Sequence, residues 1–229
     1  RLVNLGSTKG YIFDEVYYVD GARDLLKYGV EVSGNNPEFI VHPPIGKWLI
    51  GGGIAIFGDN EFGWRFATAL IGTLLILVFA RLIHVLFYSP LLTALGAALM
   101  ALDGLLLVHS RTALLDLFLT FFILIALLLW HRDRHWWAGL AFGLALSCKW
   151  SAIYFIAVIA VVSLYRILVN MDIRESLRPM AKKFAQYGLL PIGVYLITWA
   201  GWFLSDRGWD RHSSTNPLFA WLNYHSEML

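Results

Sequence analysis

The chain has 229 residues, 58% hydrophobic and 15% charged, with a mean hydropathy of +0.62. A soluble domain carries about 25% charged residues, so the composition excludes an ordinary water-soluble globule; several apolar runs reach the roughly 20 residues a bilayer requires and predict an all-α, multi-pass membrane bundle. The net charge of +2 gives no basis for nucleic-acid binding, and Cys148, the single cysteine, excludes an internal disulfide and offers no thiolate cluster to a metal.

In chain order, no secretory signal is visible. Residues 1–5, opening with Arg1-Leu2-Val3-Asn4-Leu5, read as the end of a truncated first membrane helix and predict that the sequence is part of a longer protein. Residues 6–61 form a long mixed loop. Within it Val16, Val19, Ala22, Leu25 and Leu26 share one helical face, Asp14 is placed to cap that helix, and Gly29 stops it. After the turn-rich Ser33-Gly34-Asn35-Asn36-Pro37, the His42-Pro43-Pro44 corner restarts the chain as an apolar segment over 45–57, too short to span and read as re-entrant or interface-lying. Gly51-Gly52-Gly53 is followed by no Gly-Lys-Ser/Thr, so it is read as a close helix contact and not a phosphate loop. Six spans are expected within 62–204, at 62–88, 91–108, 113–130, 136–148, 150–168 and 184–204. Residues 205–229 begin an outer loop, where His212 and His225 lack metal-ligand spacing. Basic clusters occur at Arg81 with His84, at Arg132 and Arg134, and at Arg166, Arg174, Arg178, Lys182 and Lys183, whereas the opposite turns hold Arg111 and Lys149 alone. Short Lys/Arg-rich loops face the cytoplasm, which places 6–61 and 205–229 outside. No internal repeat is visible.

Four features carry candidate chemistry. Asp14 and Glu15 are adjacent acids at a helix start, where the dipole favours a negative charge; a carboxylate there is either a cap or a general base for an attacking hydroxyl. Arg111, at a membrane edge, is either a snorkelling cation or a bidentate phosphate clamp. Asp103 and Asp116, in flanking apolar sequence, are expected to support Arg111. Lys149 interrupts an apolar run, where a charge is costly and usually paired or functional, and His42 and Lys47 flank the double proline.

The ordered set of Arg1, Phe13-Asp14-Glu15, His42-Pro43-Pro44-Ile45-Gly46-Lys47, Ser110-Arg111-Thr112-Ala113-Leu114-Leu115-Asp116 and Cys148-Lys149-Trp150 resembles the protein O-mannosyltransferase family over essentially the whole chain. The resemblance implies a C-type glycosyltransferase fold. It implies inverting transfer of mannose from a polyprenyl-phosphate donor to Ser or Thr of an exported polypeptide, handed over by the secretion channel, with no cofactor or metal. Asp14 then matches the base, Glu15 and Arg1 organise the site, and Arg111 meets the donor phosphate, with Lys149, His42 and Lys47 as further substrate contacts. Val16-Tyr17-Tyr18 follows the acid pair where eukaryotic members commonly carry a His and an aromatic residue. That departure favours a bacterial plasma-membrane member with an extracytoplasmic site over one of the endoplasmic reticulum.

Three rivals remain at this level: a related transferase of lipid-linked aminoarabinose, a transporter, and a non-catalytic scaffold. Transporters tend to show repeated halves with polar sites near the midplane, whereas here the candidate residues gather towards one face.

Overall fold

The computed structural model describes residues 1–170 and 173–228. Helix α1 (Glu15–Tyr28) begins with an acid in its first turn and ends where Gly29, at φ 76°, takes the left-handed conformation that glycine adopts at little cost. A two-residue hairpin, β1 (Val32–Ser33) with β2 (Asn36–Pro37), turns the chain back. Helix α2 (Ile45–Phe57) has 13 residues, about 20 Å at 1.5 Å per residue and short of the ~30 Å hydrocarbon core. It lies against both neighbours through glycine: a Cβ on Gly53 would meet the Gly63 carbonyl oxygen, and one on Gly51 the Leu26 side chain and Ala22 carbonyl, while Gly52 faces open space. On α1 the buried face is Tyr18, Val19, Gly21, Ala22 and Leu25, whereas Val16 and Leu26, expected on it, are exposed.

Helix α3 (Glu61–Phe87) runs for 27 residues and is capped by Asn60, whose side chain accepts from the Phe62 and Gly63 N–H groups. It and α8 (Ala152–Asn170) are long and apolar enough to cross a membrane. The other expected spans are shorter or interrupted. The segment expected as 91–108 is α4 (Pro90–Leu102) and α5 (Gly104–His109), broken at Asp103, whose carboxylate accepts from Leu106 N at 2.6 Å and starts the second piece. Asp103 is therefore a helix cap and does not support Arg111. Helices α6 (Leu115–His131) and α7 (His135–Leu146) form a hairpin. Helix α9 (Ile173–Phe184) passes through a π-helical turn (Ala185–Leu189) into α10 (Leu190–Thr198) and α11 (Ala200–Leu204). The side chain of Arg174, counted above in a basic cluster, lies outside the described residues. Leu77, Leu91, Leu99, Leu102 and Leu105 are all well exposed, an apolar exterior of the kind that contacts lipid or another protein.

The last helix, α12 (Pro217–Glu227), is clipped to the bundle by aromatics. Trp150 Nε1 donates to Tyr195 Oη, which lies 2.8 Å from His225 Nε2, and His225 Nδ1 lies 2.8 Å from the Trp221 carbonyl oxygen. With Nδ1–H donating and Nε2 accepting, the neutral ring is fully used. Burial lowers its pKa from 6.5 to about 4. A released tail would protonate His225 first, so docking is fully supported above about pH 6.5 and loses support as pH falls towards 4. Proteolysis at residues 205–216 is expected to rise over that window, and His225→Phe to flatten the rise; an unchanged profile in the variant would remove His225 as its cause.

Candidate active site

The buried hub is an ion pair. Glu15 and Arg65 are both fully buried. Arg65 Nε donates to Glu15 Oε1 at 2.8 Å and Nη2 to Oε2 at 2.7 Å, while the remaining donors reach the carbonyls of Thr8 and Gly10. Glu15 also accepts from the backbone N–H of Ala113 on Oε1 and of Ile12 on Oε2. One carboxylate thus ties together the loop after residue 7, α1, α3 and the segment before α6. Each oxygen has two donors, leaving it no role as a proton acceptor. Glu15, read above both as one of two candidate bases and as a site-organising residue, makes the contacts of the second and not of a catalytic base.

Its neighbour is arranged differently. Phe13 sits at φ 53°, a left-handed conformation uncommon for a bulky residue, and Asp14 follows at the N-cap position. No helix N–H bonds its side chain, so the expected capping is not made. The carboxylate instead lies 3.5 Å from Tyr18 Oη, and Asp14 borders a cleft of about 340 Å³ lined also by Tyr17, Glu38, His42, Lys47 and residues 39–41. Burial, then the charges of Asp14 and Asp116, push the Tyr18 pKa well up, which keeps its phenol a proton donor. Burial, then Lys149 and Lys47, lower that of His42 against the opposing pull of Asp116 and Asp14. A lowered pKa favours the neutral, hydrogen-bonding ring where His42 borders the cleft.

Lys149 Nζ lies 2.8 Å from Asp116 Oδ1, with both side chains partly exposed. Asp116 thus partners Lys149 and not Arg111. Lys47 borders the cleft, but its ammonium is buried in an ion pair with Glu31, so it brings no free charge to a substrate. Arg111 is committed elsewhere: Nη1 donates to the carbonyls of Arg1 and Val3, and Nη2 to that of Asn4. It fastens the entering chain, and the geometry does not make it the phosphate clamp. Arg1 Nε donates to Ser110 Oγ at 3.0 Å on the same seam. The structure therefore brings together Asp14, His42, Lys47, Asp116 and Lys149, with Arg1 and Arg111 in the adjoining seam and Asp103 apart.

Sequence reasoning missed Arg65, Tyr18 and Glu31. Arg65 carried a usable signal, a charge just inside an apolar span, which is the rule already applied to Lys149.

The family model for dolichyl-phosphate-mannose-protein mannosyltransferases matches residues 41–202. The polyprenol-phosphate-mannose–protein mannosyltransferase of Mycobacterium tuberculosis is 36% identical over 257 aligned positions, covering 93% of this chain and 49% of that protein. The enzyme of the same name from Corynebacterium glutamicum is 29% identical, covering 95% of this chain and 53% of that one. This chain spans about half the length of both relatives. Among solved structures, the S. cerevisiae protein O-mannosyltransferase complex bound to the sugar donor superposes with a TM-score of 0.75 at 21% identity, over 89% of this chain and 32% of that one. The expected all-α, C-type glycosyltransferase membrane fold holds, and the chain belongs to the dolichyl-phosphate-mannose-protein mannosyltransferase family.

Proposed function

We propose that this chain carries the catalytic acid of an enzyme that moves mannose from polyprenyl-phosphate mannose to a Ser or Thr hydroxyl of an exported polypeptide, with inversion, at the extracytoplasmic face of a bacterial plasma membrane. The observation that carries the reading is the split between adjacent acids: Glu15 is saturated by four donors, whereas Asp14 makes no cap bond and borders the cleft.

In this reading the acceptor oxygen attacks the anomeric carbon as its proton passes to Asp14. The bond from that carbon to the phosphate oxygen breaks, and the electron pair leaves with the polyprenyl phosphate. Base catalysis of this kind contributes about 10²–10⁴-fold. Lys149, already balanced against Asp116 and felt electrostatically at His42, is the cation assigned to the departing phosphate. His42 and the Tyr18 hydroxyl orient the sugar and the acid. No metal enters, because phosphate is already a good leaving group. The acceptor is an unfolded segment, delivered as it emerges from the secretion channel.

Full-length protein given radiolabelled polyprenyl-phosphate mannose and a Ser/Thr-rich peptide is expected to label the peptide, equally well after treatment with a chelator. Labelling only from a lipid-linked aminoarabinose donor, or none from either, would overturn the assignment; loss on chelation would overturn its metal-free form.

A further inference from the structure

At the far end of α8 from the Asp14 cleft, two cavities adjoin. Arg166 lies 14 residues beyond Ala152, about 21 Å along the helix. The first cavity, about 400 Å³, is an apolar groove between α8 and the α9–π-turn segment, lined by Ala160, Leu164, Ile167, Met180 and Phe184. The second, about 260 Å³, has a mixed lining in which Arg166, Lys183, His135 and Ser163 stand beside Trp130 and Ile167. Ile167 and Lys183 line both, so a greasy channel opens directly onto a basic chamber.

The basic chamber is built on side-chain contacts. The Arg166 guanidinium sits 4.6 Å from the Trp130 ring centroid and Lys183 Nζ 5.7 Å from that of Tyr187, while Tyr187 Oη is 2.7 Å from His135 Nδ1. Trp130 Nε1 in turn donates to Ser163 Oγ at 3.4 Å. Stacking orients the two cations and leaves N–H donors for an anion. Asp133, the acid among the described residues that line this chamber, is almost fully exposed, its carboxylate 3.5 Å from His135 Nε2.

We propose that the joined cavities bind one anionic phospholipid, its phosphodiester on Arg166 and Lys183 and an acyl chain along Ala160, Leu164 and Phe184. Charge complementarity commits the site to this occupant: basic chambers between membrane helices take anionic headgroups, and the continuous apolar groove excludes a free phosphate as the preferred ligand. The site is separate from the donor cleft, so its occupancy can be tested apart from transfer.

The test uses full-length protein in detergent. Short-chain phosphatidylglycerol, the matching phosphatidylcholine and glycerol 3-phosphate are titrated while binding is followed by calorimetry and by thermal unfolding. Phosphatidylglycerol is expected to bind at least tenfold more tightly than either competitor. Arg166→Gln/Lys183→Gln, both outside the core, is expected to abolish that preference with the unliganded melting point unchanged, and Ala160→Trp to weaken binding by filling the groove. Equal binding of phosphatidylcholine, equal binding of glycerol 3-phosphate, or a double variant that keeps the preference would each overturn the assignment.

Discussion

Asp14→Asn is expected to lower mannosyl transfer by at least about a hundredfold, the low end of general-base effects, while thermal unfolding stays where it is in the parent. The expectation of normal stability is as specific as the loss of rate. A side chain that caps a helix contributes about 1 kcal/mol, but that of Asp14 bonds no helix N–H, so an amide of the same shape removes proton acceptance and little else. The contact with Tyr18 Oη, at 3.5 Å, is long enough to add little by itself. Transfer assays at saturating donor and acceptor, paired with detergent-phase melting curves, decide the matter. Parent-like turnover would remove Asp14 as the base, and a lower melting point would make its role architectural.

The second large effect runs the opposite way. Glu15→Ala is expected to destabilise the whole chain, because it strands a fully buried guanidinium and leaves the Ala113 and Ile12 N–H groups without their acceptor. Breaking a buried ion pair from one side costs about 3–5 kcal/mol, a large share of the 5–15 kcal/mol that holds a typical domain folded. Asp116→Asn serves as the internal control: its pair with Lys149 is partly exposed, and such pairs contribute about 0–1 kcal/mol. A Glu15→Leu/Arg65→Leu double variant is expected to regain part of the lost melting temperature, since an apolar pair strands no charge. A Glu15→Ala protein that melts normally yet fails to transfer mannose would reassign Glu15 to the chemistry.

Much of this was legible from residue order. Composition and long apolar runs predicted the helical membrane bundle, and the acid pair at a helix start pointed to Asp14. What could not be read was which charges pair. Asp116 was expected near Arg111, five positions away, yet it meets Lys149, 33 positions on, because α6 and α7 fold back on one another. Arg111 looked like an edge cation free to grip phosphate, and nothing local announces that carbonyls over a hundred positions upstream occupy it. Lys47 is hidden for the same reason, its partner Glu31 lying across a loop. Helix interruptions proved equally non-local in their signal: Asp103 ends α4 by capping α5, inside a stretch whose hydropathy runs on unbroken.

Arg65 rides on α3, a helix long enough to cross the bilayer, and grips the residue next to Asp14. Helices of this kind change tilt when hydrocarbon thickness changes. The latch between them makes α3 a lever: re-tilting would pull on the covalent neighbour of Asp14, and under the proposed mechanism turnover is expected to follow the acyl-chain length of the surrounding membrane without a lipid ever entering the cleft.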